Sequence, residues 1–274
     1  MGDKSKAFRL LHEMPDTFII PNPWDIGTAR ILESMGFQAL ATTSAGLAFS
    51  LGVPEGRVSW KQTIDHCQAI VESTSLPVSA DLEKGIGDDP DSAAETIKIA
   101  VNIGLAGCSL EDHTGLPDAP VYDLSLAVDR IEAAVKAREA LDHDFVITAR
   151  AENFMWGRPD LDDTILRLQA FEKAGADVLY APGLHDLSMI KTVCESVTRP
   201  VNVVMGLPGE TFSVVQLADA GVKRISVGAS MARLAYGSFV QAAREICAEG
   251  TFGYSKKAIG FSELEAFFRK SEGA

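Results

Sequence analysis

The chain predicts an α/β fold, a (β/α)8 barrel of the TIM type with an extra helical segment at its carboxyl end. Three observations predict it. Strand-like and helix-like segments alternate eight times with short connections. Composition does not break between the first of these segments and the last, so nothing marks a linker. Five of the strand segments begin apolar and end in polar or charged residues at the same relative place, as in 77–83 and 145–152. Barrel strands are buried on both faces, so a carboxylate or guanidinium at a strand end must open onto a site or sit in a costly ion pair.

The elements follow in order. A strand over 17–22 leads to a helix over 25–35 that Gly36 stops, and a strand over 39–44 leads to a helix over 59–75 capped by Ser59. A strand over 78–83 precedes a helix over 91–103 with Gly104 as its stop, and 108–112 precedes 125–141. The pairs 145–151 with 161–174, 178–181 with 186–197, 201–205 with 213–220 and 224–228 with 231–248 complete eight units. Asp25, Asp88, Asp89 and Asp91 sit at predicted helix starts, where a carboxylate caps backbone amides. Residues 1–250 thus read as the barrel and 251–274 as a helical extension. In that extension Phe261, Leu264, Phe267 and Phe268 recur at helical spacing. With eight helices already placed, this ninth stripe must cover something apolar, on this subunit or on a neighbour in a homo-oligomer.

The 274 residues are 46% hydrophobic and 23% charged, with a formal net charge of −13, which argues against nucleic acid or an anionic membrane as partner. Residues 1–14 lack the apolar run of a signal peptide or a membrane span, so the expected location is cytoplasmic. Cys67, Cys108, Cys194 and Cys247 are widely spaced and read as reduced thiols.

Alternation places Asp81 with Glu83, Ser109 with Glu111 and Arg150 with Glu152, each pair on one face of its strand and turned to the barrel mouth. Carboxylates converging with one Arg suggest a hard divalent cation, Mg2+ with Mn2+ as an alternative, because such ions take oxygen ligands. Arg150 is then available for a small anionic substrate, and Asn202 faces the same mouth.

These residues also carry a family resemblance. Asp81-Leu82-Glu83-Lys84-Gly85-Ile86-Gly87 resembles the D-x-D-x-G-Y/F-G metal motif of the isocitrate lyase and phosphoenolpyruvate mutase superfamily. Leu110-Glu111-Asp112 resembles its I-E-D strand, and Ala149-Arg150-Ala151-Glu152 its A-R-x-D/E strand. Thr43-Ser44-Ala45-Gly46 followed by Ser50-Leu51-Gly52-Val53-Pro54-Glu55 is similar to its S-G-x and S-L-G-x-P-D stretches. The resemblance implies a Mg2+-dependent lyase or hydrolase that cleaves a C–C or P–C bond of a small 2-oxo or 2-hydroxy carboxylic acid through a metal-stabilised enolate. It implies Asp81 as the direct metal ligand, with Glu83 and Glu111 holding the metal's waters and Glu55 further out. Ser44, Ala45 and Gly46 would hold the substrate carboxylate, with Trp24 and Asn202 as further substrate-binding candidates and Arg150 on the developing oxyanion. It also implies dimers or tetramers that exchange carboxyl-terminal helices.

The chain departs from that pattern in two places. The lyases' K-K/R-C-G-H loop, whose Cys supplies a proton, and the mutases' K-x-N-S are both missing from the 113–123 stretch. His113 and Tyr122 are the acid or base candidates left there, on a segment expected to act as a mobile lid. Pro182 stands where the lyases end a strand in Glu, which favours a smaller substrate. The alternative reading is a barrel that keeps metal and carboxylate binding without turnover, in a sensory or binding role.

Overall fold

The computed structural model describes residues 4–141 and 143–269. Eight parallel strands, β1 (Phe18–Ile20), β2 (Leu40–Ala41), β3 (Val78–Asp81), β4 (Gly107–Glu111), β5 (Val146–Arg150), β6 (Val178–Tyr180), β7 (Val201–Val204) and β8 (Arg224–Ser226), run in the sheet order β1-β8-β7-β6-β5-β4-β3-β2. Between the two ends of that order, Ala41 N donates to Pro21 O at 3.0 Å and Asn22 Nδ2 to Thr42 O at 2.9 Å, which closes the barrel.

The expected helices are α2 (Ile26–Ser34), α4 (Trp60–Ser73), α5 (Pro90–Asn102), α6 (Leu124–Ala140), α7 (Leu161–Lys173), α8 (Leu187–Ser196), α9 (Val214–Asp219) and α10 (Ser230–Glu249). Their starts are capped as the residue types require: Asp25 accepts from Thr28 N at 2.7 Å, and Asp89 from Ser92 N at 2.8 Å. Ser59 caps α4 through Gln62 in a reciprocal capping box.

Period-two alternation sorts each strand between two environments. Leu40, Val78, Cys108, Ile147, Leu179 and Ile225 face outwards into the main core under the helices. Phe18, Ile20, Val146 and Val178 form a separate cluster with Phe8. Phe8 comes from α1 (Lys4–Glu13), a helix absent from the expected elements because its charged residues mask a single fully buried face. Beyond this plug, Ser79, Ser109, Thr148, Asn202, Arg224 and Ser226 replace the branched apolar side chains that usually fill a barrel interior. Polar lining at these positions leaves a cavity that the neighbouring apolar layer could not.

Three expectations change in the structure. The strand expected over 39–44 shortens to two residues because Thr43 caps a short helix, α3 (Ser44–Ser50), accepting from Gly46 N at 3.2 Å. Strand β3 ends at Asp81, and Glu83 lies beyond it at φ 51°, the left-handed region that a non-glycine residue seldom enters. Alternation along one strand therefore does not relate Asp81 to Glu83. Finally, the eighth barrel helix meets its barrel only through its first turns, where Ala232 is buried and Tyr236 meets Phe49, while Leu234 is 71% and Phe239 70% exposed. The helix at the carboxyl end, α11 (Phe261–Arg269), follows a 3-10 turn (Gly253–Lys257) and lies against α2, with Leu264, Phe267 and Phe268 half-buried. Residues 270–274 of the expected extension lie outside the described residues. The stripe on α11 therefore has a berth at home, and the apolar face left open belongs to α10. No helix among the described residues is long and apolar enough to cross a membrane.

Candidate active site

At the carboxyl ends of the strands a cavity of about 280 Å³ is lined on one side by Ser44, Ala45, Glu55, Asp81, Ser109 and Arg150, and on the other by Tyr180, Asn202, Arg224, Ser226 and Arg233. Pairing of neighbouring strands fixes much of this arrangement. Glu111 is opposite Arg150, Arg150 opposite Tyr180, and Tyr180 opposite Asn202, so four polar side chains share one level of the barrel.

Arg150 is the centre of the acidic wall. Its Nη1 lies 3.0 Å from Asp81 Oδ1 and 2.9 Å from Glu111 Oε1, and its Nε donates to Glu152 Oε1 at 2.8 Å. The guanidinium carbon also sits 4.8 Å above the Tyr180 ring, a cation–π contact. Asp81 Oδ2 accepts from Ser44 Oγ at 2.8 Å and from Ser44 N at 3.3 Å, while Ser44 Oγ also reaches Glu55 Oε1 at 3.4 Å. Thr42 Oγ1 accepts from Asp81 N at 3.0 Å, which holds the strand end in place.

Asp81, Glu111 and Glu152 thus share one guanidinium, Glu55 and Glu83 are near enough to feel the same charges, and protonation reflects it. Burial, then the charges of Asp81 and Glu55, pushes Glu83 up to about 7. Burial raises Glu111 well above the usual carboxylate range, against the opposing pull of Arg150, and raises Glu152 in the same way. Glu55, exposed at the mouth, is raised by desolvation and then by Asp81. Carboxylates whose folded pKa is raised keep a proton that the unfolded chain has lost, so between about 4.5 and 7 the charge on Glu83 costs progressively more folding free energy as pH rises. A cation among them would remove that cost.

A second ion-paired layer supports the first. Asp112 Oδ1 accepts from Glu152 N at 2.8 Å, and Asp112 Oδ2 pairs with Arg167 Nη1 at 3.0 Å, all of it buried. Arg167 also donates to Tyr122 O at 3.0 Å and pairs with Asp163 at 2.9 Å. Burial nevertheless lifts Asp112 to about 6.

The remaining sequence candidates fall in different places. Asn202 lines the cavity with both amide atoms engaged, accepting from Arg224 Nε at 2.8 Å and donating to Ser226 Oγ at 3.0 Å. The Gly46 amide is taken up by Thr43, and a Cβ there would meet Thr43 and the Trp24 Cβ at 2.5 and 2.9 Å, so glycine lets α3 close on Trp24. Trp24 itself lies in a separate groove with His66, whose Nε2 is 3.0 Å from its carbonyl oxygen. His113 stacks on Trp156 with ring centroids 3.8 Å apart and does not line the cavity. Burial, followed by the charges of Lys84 and Arg150, lowers its pKa. The segment it opens is closed on itself, with Thr114 N donating to Pro120 O at 2.9 Å. Tyr122 is committed to Asp88 Oδ1 at 2.5 Å.

Sequence reasoning missed Tyr180, Ser226, Arg224 and Asn22. Asn22 Oδ1 accepts from both Val227 N and Gly228 N at 2.9 Å, tying the β8 end to the barrel seam. The signal available for two of the others was Arg224-x-Ser226, polar residues at period two inside a strand.

With this geometry, similarity to known proteins becomes interpretable. The chain matches the phosphoenolpyruvate phosphomutase family over residues 8–247. It is 30% identical to 2-methylisocitrate lyase of Escherichia coli (strain K12) over 204 residues, 72% of this chain and 68% of that one. It is 33% identical to the enzyme of the same name from Shewanella oneidensis over 207 residues, 72% and 69% of the two chains. A crystal structure of 2,3-dimethylmalate lyase superposes with a TM-score of 0.87 at 26% identity, covering 99% of this chain and 95% of the other. A Burkholderia cenocepacia J2315 protein described only as of the lyase/mutase kind superposes at 0.94 with 51% identity, covering 97% and 95%. The (β/α)8 barrel with its guanidinium-centred acidic mouth therefore belongs to the phosphoenolpyruvate phosphomutase family, within the phosphoenolpyruvate mutase and isocitrate lyase superfamily, and is a lyase-type enzyme.

Proposed function

We propose that the protein is a Mg2+-dependent lyase or hydrolase that cleaves a C–C or P–C bond of a small 2-oxo or 2-hydroxy carboxylic acid through an enolate. The observation that carries this reading is Arg150, a guanidinium held on Asp81, Glu111 and Glu152 at the wall of a cavity of about 280 Å³. Mg2+ accepts one or two protein carboxylates and keeps several waters. Among the described residues no three His, Cys, Asp or Glu side chains converge closely enough to hold a metal together, which suits an ion taken directly by Asp81, with Glu83, Glu111 and Glu55 acting through water. Mn2+ suits the same oxygen donors. The crowding that raises Glu55, Glu83 and Glu111 supports a cation there as well.

When bound, the ion supplies Lewis-acid polarisation of the substrate's oxygens. The chain supplies the rest. Ser44 and Ala45 border the place where the substrate carboxylate is bound, and Arg150 faces the oxygen on which negative charge grows. Because Glu111 and Glu152 hold Arg150 before substrate arrives, its reorganisation costs little in the transition state. The absence of a Glu at position 182, where Pro182 lines the cavity, fits a substrate smaller than a tricarboxylic acid. The test is a panel of 2-oxo and 2-hydroxy acids with Mg2+, followed for release of pyruvate, glyoxylate, oxalate or phosphate. At least one acid is expected to turn over and to stop doing so in EDTA. If none is consumed and none binds with Mg2+, the reading fails.

We also infer a cytosolic homo-oligomer, a dimer or tetramer, in which the open face of α10 packs on a neighbouring subunit. The exposed Leu234 and Phe239 on a helix that leaves its own barrel support it, as does a buried free thiol at Cys67 for the reducing compartment. Changing Leu234 and Phe239 together to Asp is expected to reduce the particle to a single chain by light scattering. An unchanged mass would show that this face is not what holds the subunits together.

A further inference from the structure

Between the end of β3 and the start of α5 the chain makes a loop, 82–89, that carries Glu83. Its first turn is left-handed at two places, Glu83 at φ 51° and Gly85 at φ 81°. That conformation costs a residue with a side chain roughly 1–2 kcal/mol, so it persists only where the surroundings over-determine it. Leu82 is buried, Gly85 N donates to Leu82 O at 2.8 Å, and Glu83 O accepts from Glu111 N at 2.9 Å.

The rest of the loop is held by two helices. From α6, Arg130 Nη1 donates to Gly87 O at 2.6 Å and approaches Asp89 O at 3.5 Å, while Nη2 donates to Lys84 O. From α5, Thr96 Oγ1 accepts from Ile86 N at 3.1 Å and donates to Ser92 O at 2.8 Å. The loop lies so close to Thr96 that a Cβ at Gly85 would meet its Oγ1 at 2.5 Å. Both side chains are buried, Arg130 at 2% and Thr96 at 0% exposure.

A buried arginine is costly, and Arg130 forms no ion pair among the described residues. Asp88, Asp89 and Asp112 act on it only at longer range, and its guanidinium carbon sits 4.8 Å over the ring of Tyr122, whose hydroxyl donates to Asp88 of the same loop. An apolar side chain would fill the space without the desolvation of a charge. What the guanidinium adds is a rigid fork of donors, which here gathers carbonyls from three positions of one loop. A surface loop has no need of so fixed a shape unless a side chain on it must be aimed. Glu83 is that side chain, since the charges of Asp81 and Glu55 reach it.

We propose that Arg130, with Thr96, is a positioning residue for the cation site: it acts through the backbone of the 82–89 loop to hold Glu83 at the acidic cluster, and so sets the affinity for a divalent cation. The proposal rests on the Mg2+-dependent reading above. Arg130 does not line the cavity, so it touches neither cation nor substrate.

Binding of Mn2+ without substrate tests the idea, with free Mn2+ counted by electron paramagnetic resonance at a temperature where circular dichroism shows each variant folded. Arg130→Lys, which keeps the charge and loses the fork, is expected to weaken Mn2+ about tenfold, the scale of effect seen when a residue that orients a metal ligand is removed. Glu83→Gln is expected to weaken it as well. In that background Arg130→Lys should change the affinity less than twofold, because the carboxylate it positions is gone. A role in stability alone predicts a lower melting temperature with Mn2+ affinity unchanged, and that result overturns the proposal. A full tenfold loss on top of Glu83→Gln overturns it too. Should Arg130→Lys not fold, Thr96→Val decides: it removes the hydroxyl and keeps the shape, and is expected to weaken Mn2+ three- to fivefold, whereas unchanged affinity sinks the idea. A parent protein that binds no Mn2+ defeats the cation reading of the site itself, and the positioning role with it.

Discussion

Arg150→Met is expected to destabilise the protein by about 3–5 kcal/mol, because it leaves buried carboxylates without their counter-charge. Asp81, Glu111 and Glu152 all face this guanidinium, and their side chains are 19%, 9% and 3% exposed. No other cation pairs with these three carboxylates among the described residues. Urea unfolding of parent and variant at pH 7.5 measures the loss, and a change below about 1 kcal/mol, the worth of a surface pair, would show the cluster to be solvated. Arg150→Lys separates charge from shape. It keeps a cation beside the carboxylates, so most of the stability should survive. Turnover on any acid found in the panel should fall about 10²–10³-fold, since one ammonium cannot reproduce the guanidinium's fixed fork at a developing oxyanion. Unchanged turnover in the Lys variant would remove Arg150 from the chemistry.

The second large effect is expected at a residue that never meets the cavity. Arg167→Met should cost about 3–5 kcal/mol by leaving Asp112 buried without its partner. Both side chains are almost inaccessible, at 6% and 1%, and Asp112 already sits at about 6 with the guanidinium present. Without Arg167 the Asp112 carboxyl should be protonated at neutral pH, which weakens its hold on Glu152 N and hence on the acid that orients Arg150. The sign of the pH dependence follows. A protonated Asp112 is tolerated at low pH, so the penalty in the variant should shrink as pH falls through about 6 and grow above it. Equal losses at pH 5.5 and 8 would assign the effect to lost packing.

The site was legible where chemistry and position coincide at strand ends. Asp81, Glu111 and Arg150 each terminate a strand buried on both faces, and a charge there has few structural uses, so the sequence points at them directly. Glu83 was identified by a motif and misplaced by alternation, since the strand had ended two residues earlier and a left-handed turn carries it to the cluster. Ser44, expected at the end of a strand, instead begins α3 because Thr43 offers its hydroxyl to the backbone. Short polar residues at such a corner satisfy a strand end or a helix start equally well, and only the packing of Gly46 on Trp24 decides.

The sequence alone determined the order of eight strand and helix units, the outward apolar faces and the acidic strand ends, because these depend on periodicity and residue type within a few positions of the chain. Tertiary structure alone decided which neighbours those residues meet. Arg224, Asn202 and Ser226 come from two strands, and they form one directed chain only because the barrel brings those strands side by side. It also decided that α10 leaves its barrel while α11 lies against α2. Both helices are amphipathic, and an amphipathic stripe specifies that something apolar must cover it without specifying what.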